Sequence, residues 1–467
     1  MTQNLVMTTV SAENKNSSGR QMGCVSPLGG EVDHQALWNQ HVGRALEVLL
    51  RNAGYSAAAQ YRSLDFFKNH IAPNLGVFKT ANANNEYAST WQSFMTDDGD
   101  PVELSWDWGT TDQFQPTIRY SIEPIGLQAG GSLDPLNSLA GSILQEHLKR
   151  ALPHMNLEWF DYFTEYFDKP EEELPQSRSA SWIYAFYDSI KNLLSCQTGQ
   201  QSEQGVQDHK SYIFYSFEIT ETEITTRVYF FPKYRAVKYG QSNLDVLIQG
   251  IHNAPGCTYE NLHALSVFLD FSGDTSSRLL EYEMLAIDLV HPSKSRFKIY
   301  FRSRETSFKS LTNIMTLGGR TRSSNMEKGL AELYSLWKAL FEVNDSGALA
   351  DVNHRTAGIL YNVEFRLGDK SPVAKVYLPV RHYSHTDDSV IRGLDNYFKS
   401  RQRARHMPDY KQAMKDLFSS ESLMTQAGSQ TYVGCTIRPN GYLRVVSYLK
   451  PPRSQPTVDN MQICMSV

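Results

Sequence analysis

The sequence predicts an α+β fold in which ten antiparallel strands close into one barrel with helices on its outside. Two observations indicate this fold: strand pairs recur along the chain, and longer helical stretches lie between them. In most pairs a short polar connection joins the two strands, as in a β-hairpin. The five pairs are 101–107 with 117–123, 212–218 with 225–231, 284–289 with 296–302, 359–366 with 374–380, and 431–437 with 442–449.

The helices precede and separate these pairs. Apolar residues at three- and four-residue spacings predict a first helix from about Gln35 and a second over 57–70. Further helices are predicted over 144–166, 242–251, 259–271, 327–343 and 387–398. The chain is therefore a repeat of structure, without a repeat of sequence.

Closure of the strands into a barrel follows from two physical rules. A sheet must bury one face beneath another layer, and a closed sheet has no exposed edge strands. A barrel of ten strands is wider than one of about eight, whose side chains just fill the interior, so its lumen can hold ligands. Two α+β domains with open sheets are the alternative, with the polar loop 196–210 as their boundary. We interpret that loop instead as a surface insertion.

The composition indicates a globular domain with polar ends. Of 467 residues 41% are hydrophobic, and the formal net charge of −5 argues against nucleic acid as the main partner. We expect residues 1–33 to be a disordered polar tail, 34–450 a single barrel domain and 451–467 a C-terminal tail. The sequence has no long apolar run, no signal-peptide pattern and no CxxC pair. We therefore expect a cytoplasmic protein with no membrane partner.

A cation followed two residues later by a tyrosine recurs on the second strand of three hairpins. Residues i and i+2 of a strand share a face, so each segment presents both groups on the same side. Because a charged group on a sealed face needs a partner, we predict that these faces line the lumen and bind a polyanion such as a diphosphate. A solvent-facing sheet surface is the alternative. The segments are Arg227-Val-Tyr229, Lys298-Ile-Tyr300 and Lys375-Val-Tyr377.

Other polar strand residues extend this hypothesis. Arg119 occupies the corresponding position of the first hairpin, and Arg296 adds a second cation to the third. In the last hairpin Tyr432 and Arg438 share a face. Glu103, on the first strand, can accept a hydrogen bond from an N–H if it faces the lumen. The alternative is a glutamate that faces solvent.

Two patterns that suggest a metal are weak. The run Asp97-Asp98-Gly-Asp100 lacks the DDxxD spacing of magnesium-binding motifs and lies in a turn before a strand. His382 and His385 lie in a loop, and no HExxH motif occurs. We therefore expect no metal site.

Several segments resemble those of the fungal indole prenyltransferases of the dimethylallyltryptophan synthase type. They occur in the family's order between about residues 35 and 450: WQSFMTDDGDPVELSW, TIRYSIEPIG, SRFKIYF, TLGGR, HRTAG and KVYLPVRHY. The resemblance implies the αββα (ABBA) barrel. It also implies transfer of a dimethylallyl group from its diphosphate to an aromatic ring, usually indole, in fungal alkaloid metabolism. No cofactor and no essential metal are implied, the partners are small molecules, and a homodimer stays open.

The resemblance also implies roles for individual residues. Glu103 matches the glutamate that binds the indole N–H and assists deprotonation, and Phe94 and Met95 match positions that contact the acceptor. Positions around the diphosphate are matched by Arg119, Arg227, Arg296, Lys298, Lys375 and Arg438. Tyrosines that screen the allyl cation are matched by Tyr229, Tyr300, Tyr377, Tyr432 and Tyr448.

Two positions depart from the family. Members that prenylate C4 of tryptophan have a lysine on the first strand of the second hairpin, where Phe214 stands here. This argues against C4 attack on tryptophan and leaves other ring positions, the indole nitrogen or a tryptophan-containing cyclic dipeptide. Extra residues in the last hairpin leave Tyr442 as an alternative to Tyr448. A polyketide acceptor, a magnesium-dependent terpene cyclase and a non-catalytic barrel that binds an anionic lipid are the other hypotheses.

Overall fold

A computed structural model describes residues 32–79, 91–111, 113–168, 209–274, 279–344 and 347–452. The barrel and its helices belong to one unit that begins at His34. Most of the two predicted tails, and nearly all of the loop 196–210, lie outside the described residues. Among the helices that are described, none has the length and apolar character needed to cross a membrane.

The strands form one closed antiparallel barrel. Each strand pairs with its neighbours in the sequence, and pairing of the first strand with the last closes the ring. This confirms the predicted barrel and excludes two open sheets. The strands are β1 (Val102–Gly109), β2 (Thr117–Ile122), β3 (Ile213–Ile219), β4 (Ile224–Phe230), β5 (Glu281–Asp288), β6 (Phe297–Ser303), β7 (Ile359–Phe365), β8 (Val373–Leu378), β9 (Gln430–Ile437) and β10 (Leu443–Leu449).

Helices cover the outside of the barrel. They are α1 (His34–Trp38), α2 (Arg44–Asn52), α3 (Ala57–Phe66), α4 (Ala140–Ala151), α5 (Glu158–Asp168), α6 (Lys233–Tyr239), α7 (Asn243–His252), α8 (His263–Ser272), α9 (Phe308–Met315), α10 (Ser324–Phe341), α11 (Val380–Tyr383), α12 (Asp387–Ser400), α13 (Met407–Leu417) and α14 (Ser420–Thr425). Turns of π-helix extend over Asn39–Gly43 and Phe67–Ile71, and 3₁₀ turns over Ala72–Asn74 and Tyr259–Asn261.

One predicted helix is wrong in its extent. The stretch 144–166 is two helices, because α4 ends at Ala151 and α5 begins at Glu158. Leu152 has left the helical region, with φ −129° and ψ 70°. The cause is Pro153, whose ring disfavours helical geometry in the residue before it.

The two faces of each strand have different surroundings. On β1, Leu104 and Trp106 are fully buried in the layer between barrel and helices, where the Trp106 ring lies 5.5 Å from that of Tyr410 in α13. Glu103 and Asp107 lie on the opposite face of β1 and therefore point into the lumen. The lumen has its own apolar cluster, separate from the core beneath the helices. Its buried members are Phe214, Phe231, Met284, Ala286, Tyr300, Leu360 and Tyr377.

Candidate active site

A ring of alternating charges encircles the lumen. First strands of hairpins supply carboxylates and second strands supply cations. We call the following residues the charge ring: Asp107, Arg119, Glu218, Arg227, Asp288, Lys298, Glu364, Lys375 and Arg444, from β1 to β8 in order and then β10. Strand register places Arg227 opposite Asp288 and Lys298 opposite Glu364. On β9 Thr436 takes this place, between Lys375 and Arg444.

The carboxylates of the charge ring hold its arginines in place. Arg119 bridges Asp107 and Glu218, with a nitrogen–oxygen distance of 2.6 Å to each. Arg227 lies 2.8 Å from Asp288. These contacts fix the guanidinium groups before any ligand arrives, and a prearranged charge costs no reorganisation on binding.

Arg296 adds a cation to the ring, and Lys298 and Arg444 also contact its carboxylates. Arg296 lies 2.7 Å from Asp288 and 3.5 Å from Glu364, and the Lys298 ammonium is 3.4 Å from Glu364. Arg444 donates from Nε to Asp107, over 3.1 Å. One carboxylate therefore serves more than one cation at several points of the ring.

Burial and neighbouring charges set the ionisation of this ring. Burial raises the pKa of Glu218 and of Glu364, but the nearby cations, Arg119 and Lys298 respectively, outweigh it and bring each pKa to about 2. Burial, together with Arg227, lowers the pKa of Lys298 to about 7. Burial, with Lys298 next in effect, also holds the pKa of Lys375 well below its ordinary value. The carboxylates are thus ionised at neutral pH, and an anion bound beside the two lysines would raise their pKa again.

Positive charge exceeds negative charge at this level. Neither Lys375 nor Arg438 forms an ion pair within the described part of the chain; Lys375 Nζ instead donates to the Tyr448 hydroxyl at 2.8 Å. The ring with Arg296 and Arg438 thus has seven cations and four carboxylates. The excess matches the negative charge of a diphosphate ester.

A layer of tyrosines lies directly beyond the charge ring. We call Tyr229, Tyr300, Tyr377 and Tyr448 the tyrosine layer. The Tyr300 ring centroid lies 5.7 Å from that of Tyr229 and 5.9 Å from that of Tyr377, and Tyr377 lies 5.5 Å from Tyr448. Tyr432 joins the layer at 6.3 Å from Tyr377. The aromatic faces therefore form a continuous wall.

Tyr300 and Tyr377 are neutral phenols whose ring faces can stabilise a cation. Burial raises the pKa of Tyr300 and Tyr377 well above the ordinary value. The Lys375 ammonium already lies 4.3 Å from the Tyr377 ring centroid, a cation–π geometry. Gly434 makes this approach possible, because a Cβ there would lie 3.0 Å from both Lys375 and Tyr448.

Glu103 marks the other end of the lumen. On β1, Asp107 belongs to the charge ring, Ser105 pairs with Tyr448 of the tyrosine layer, and Glu103 comes next on the same face. Glu103 accepts a hydrogen bond from the Thr431 hydroxyl at 2.7 Å. Burial, opposed by this bond and by Arg381, raises the pKa of Glu103 to about 7. Its carboxylate can therefore exchange a proton near neutral pH.

Phe94 and Met95 lie on a segment that Glu123 anchors. The Glu123 carboxylate accepts from Trp91 Nε1 at 3.1 Å and from the Ser211 hydroxyl at 2.7 Å. The Ser211 oxygen in turn accepts from the Phe94 backbone N–H at 3.0 Å. Phe94 and Met95 thereby pack against the apolar cluster of the lumen.

The aspartates of the 97–100 turn do not converge on one point. Asp97 lies 2.8 Å from Arg381, Asp98 lies 3.4 Å from Lys450, and Asp100 lies 3.7 Å from Lys79. His354 and His382 place ring nitrogens near Asp97, a grouping with metal-ligand residue types. The Arg381 guanidinium already forms an ion pair with the Asp97 carboxylate. Its positive charge opposes binding of a metal cation there.

The structure brings the sequence-predicted site residues together in one lumen. The predicted cations lie at the charge ring, the tyrosines lie beyond them, and Glu103 lies with Phe94 and Met95 at the far end. Tyr448 lies in the lumen, whereas Tyr442 is 46% exposed and lies beneath Lys328 on the outside. Phe214 packs edge-on against Phe231, with ring centroids 4.8 Å apart.

Sequence reasoning missed the anionic half of the ring. The four carboxylates stand on first strands, each near the strand's C-terminal end: Asp107, Glu218, Asp288 and Glu364. This recurrence of an acidic residue near the end of each first strand is visible in the sequence and could have indicated the ring carboxylates. Arg444, Thr431 and Glu123 were also missed, and their roles depend on contacts between remote segments.

Comparisons with known proteins give a consistent assignment. The sequence model described as tryptophan dimethylallyltransferase matches residues 34–413. The chain is 33% identical to 4-O-dimethylallyl-L-tyrosine synthase of Claviceps purpurea, over 90% of this chain and 89% of that protein. It is 30% identical to 7-dimethylallyltryptophan synthase of Aspergillus fumigatus, over 87% and 83%. It is 29% identical to xanthone prenyltransferase B of Emericella nidulans, over 91% and 88%.

Solved structures share the fold. AnaPT from Neosartorya fischeri superposes with a TM-score of 0.71 at 23% identity, covering 90% of this chain and 94% of that one. NotF in complex with brevianamide F and DMSPP gives a TM-score of 0.71 at 20% identity, covering 92% and 98%. The predicted αββα barrel is thus confirmed.

We expect Lys375→Met to weaken binding of inorganic diphosphate by about ten- to a hundredfold, since it removes one charge-assisted contact. Lys375 is the informative choice because its removal leaves no carboxylate without its partner. Calorimetry in buffer with EDTA measures the effect, and Lys309→Met, on the exposed side of α9, is the matched control. Unchanged affinity in Lys375→Met, or binding that requires magnesium, would contradict the assignment of the charge ring.

Proposed function

The chain belongs to the tryptophan dimethylallyltransferase family, and from this premise we propose that it transfers dimethylallyl from dimethylallyl diphosphate to the phenol oxygen of tyrosine. The observation that supports transfer is the order of groups along the lumen. A cationic level, a wall of aromatic faces and one carboxylate with a pKa of about 7 follow one another on the same strand faces.

The first step breaks the bond between the allyl carbon and the diphosphate oxygen. The electron pair leaves with the diphosphate, whose charge the charge ring and Arg438 stabilise. The dimethylallyl cation stays within the tyrosine layer, where aromatic faces stabilise it and exclude water. Because Tyr300 and Tyr377 are buried and protonated, they are poor nucleophiles and escape alkylation.

The second step joins the cation to the acceptor. The acceptor ring packs on Phe94 and Met95 with its hydroxyl on Glu103. An oxygen electron pair forms the new carbon–oxygen bond, and the phenol proton passes to the Glu103 carboxylate. The products are the prenyl ether, diphosphate and a protonated Glu103.

A phenol acceptor suits the placement of Glu103. Attack through oxygen releases one proton, from the same hydroxyl that Glu103 binds. Attack through a ring carbon releases a C–H proton at another position, where Phe214 and Phe231 offer no base. The likeness to the tyrosine synthase of Claviceps purpurea supports the same choice.

An indole acceptor is the second candidate. Glu103 can accept an indole N–H as well as a phenol O–H. The likeness to 7-dimethylallyltryptophan synthase favours it. In that case attack at a position other than C4 is expected, since Phe214 supplies no base on β3.

Incubation with dimethylallyl diphosphate and separate aromatic acceptors tests the proposal. We expect L-tyrosine to gain one C₅H₈ unit on its oxygen, and faster than L-tryptophan, indole dipeptides or xanthones. Mass spectrometry detects the gain, and NMR locates it. Transfer to tryptophan with none to tyrosine would select the second candidate, and transfer to neither amino acid would reject both.

Glu103→Gln is expected to lower kcat by about 10²- to 10⁴-fold, the usual effect of removing a positioned base. The substitution keeps the size and an acceptor oxygen but removes the charge. Binding of dimethylallyl diphosphate should stay unchanged, since Glu103 lies beyond the tyrosine layer. Glu223→Gln, in an exposed turn, is the control. Retention of more than about a third of kcat would refute the role as base.

The pH dependence should have two limbs near pH 7. Glu103 has a raised pKa of about 7, so the base is protonated and kcat/KM falls as pH decreases below that value. Lys298 has a lowered pKa of about 7, so its positive charge and kcat/KM for dimethylallyl diphosphate fall as pH increases above it. Lys298→Arg should remove the alkaline fall alone, because guanidinium does not titrate there. A profile that stays flat on both sides would contradict both assignments.

A further inference from the structure

The acceptor end contains an arginine that the reaction steps above do not use. Arg355 lies in the loop before β7, and its guanidinium carbon is 4.6 Å from the centroid of the Phe94 ring. Its Nη2 donates to the Thr96 backbone oxygen at 2.9 Å. The side chain is therefore held against the residue that the acceptor ring contacts.

The other terminal nitrogen of this guanidinium lacks a partner. Nη1 of Arg355 is shielded from solvent and makes no hydrogen bond to any residue that the structure describes. A buried, charged donor without an acceptor is costly. Such a group is satisfied if a ligand supplies an anionic oxygen.

Asp97 is the carboxylate that acts most strongly on Arg355, and it already has other partners. Asp97 lies 2.8 Å from Arg381 and accepts a hydrogen bond from the Thr356 hydroxyl at 2.9 Å. Arg302, a further cation of this region, pairs with Glu283 at 2.7 Å. Burial lowers the pKa of Arg355, and Arg381 and Arg302 lower it further against the effect of Asp97. Of these three arginines, Arg355 is thus the one that has no carboxylate partner among the described residues.

A second buried polar atom, Nδ1 of His209, lies beside Phe94 and can accept a hydrogen bond, whereas Nη1 of Arg355 can donate one. The His209 ring stacks on Phe94 with centroids 3.9 Å apart, and its Nδ1 has no hydrogen-bond partner within the described ranges. Burial, with Arg355 adding to it, lowers the pKa of His209 to about 4, so the ring is neutral near pH 7. A neutral imidazole nitrogen can accept a hydrogen bond. A cationic donor and a neutral acceptor match the carboxylate and ammonium groups of an α-amino acid.

We propose that Arg355 binds the carboxylate of the acceptor, with His209 beside it for the ammonium group, so that the enzyme selects aromatic amino acids over aromatics that have no carboxylate. This inference rests on the proposed function, and it names the group that fixes the acceptor's far end while Glu103 holds its reacting end. Asp97 and Arg381 act electrostatically on both Glu103 and Arg355, which indicates that the two ends belong to one site.

Tyrosine and tyramine differ by the carboxylate alone and form the test. For the wild-type enzyme we expect kcat/KM for L-tyrosine to exceed that for tyramine by about ten- to a hundredfold, the effect of one charge-assisted contact. Arg355→Gln should reduce this preference to about threefold or less, because KM rises more for tyrosine than for tyramine. Arg355→Lys keeps the charge and should retain part of the preference.

Controls separate recognition from folding. Arg322→Gln, at an exposed arginine on the outside, should leave the preference as in the wild type. Equal kcat/KM for tyrosine and tyramine in the wild type would overturn the role of Arg355. An equal loss for both substrates in Arg355→Gln would also overturn it, because that result indicates a structural role through Phe94 and Thr96.

Binding measurements distinguish this inference from the proposed function. Calorimetry measures binding of the acceptor without transfer. The ligands are L-tyrosine, L-tryptophan and the corresponding amines tyramine and tryptamine, added to protein saturated with inorganic diphosphate. Binding that requires the carboxylate and Arg355 supports the inference even if no prenyl group is transferred, in which case the proposed function alone fails. Equal binding of acids and amines overturns the inference and leaves the proposed function intact.

Discussion

The structure depends on the pairing of opposite charges inside the barrel. A binding site for a diphosphate needs several cations close together, and unpaired cations of this kind repel one another when buried. Here each arginine of the ring from β2 to β6 contacts a carboxylate from an adjacent strand. The carboxylates reduce the repulsion and fix the positions of the guanidinium groups. The site is therefore complete before a ligand enters.

The same strands separate the two halves of the reaction. Because residues two apart share a face, β4, β6 and β8 each place a cation at the ring and a tyrosine one step beyond it. In the proposed reaction the leaving group, the carbocation and the acceptor thus occupy successive levels. The tyrosine layer lies between the charge ring and Glu103, and burial raises the pKa of Glu103 to about 7 although Arg381 and Lys375 act to lower it.

Much of the fold and half of the site could be predicted from the sequence. Hairpin boundaries and the lumen-facing cations follow from spacing within one strand, which the sequence shows directly. The ring carboxylates could not be paired in advance, since Arg227 meets Asp288 across two hairpins and only the strand register brings them together. Arg355 and Arg381 were missed as site residues because a loop and the single-turn helix α11 place them, and such short segments have no periodicity to predict where side chains meet.

The alternation of carboxylates and cations around the barrel is interrupted on β9, and this interruption indicates where the negative charge of the substrate would bind. Four hairpins begin with a strand that supplies a carboxylate, but in the fifth hairpin Thr436 of β9 stands in its place. Lys375 flanks this threonine without an ion pair among the described residues, and its pKa is held well below the ordinary value. The proposed diphosphate supplies the anion that the fifth hairpin lacks, and it restores the alternation around the barrel. When diphosphate leaves, Lys375 again has no anionic partner among the described residues. The missing carboxylate that favours binding of the first diphosphate therefore favours binding of the next one.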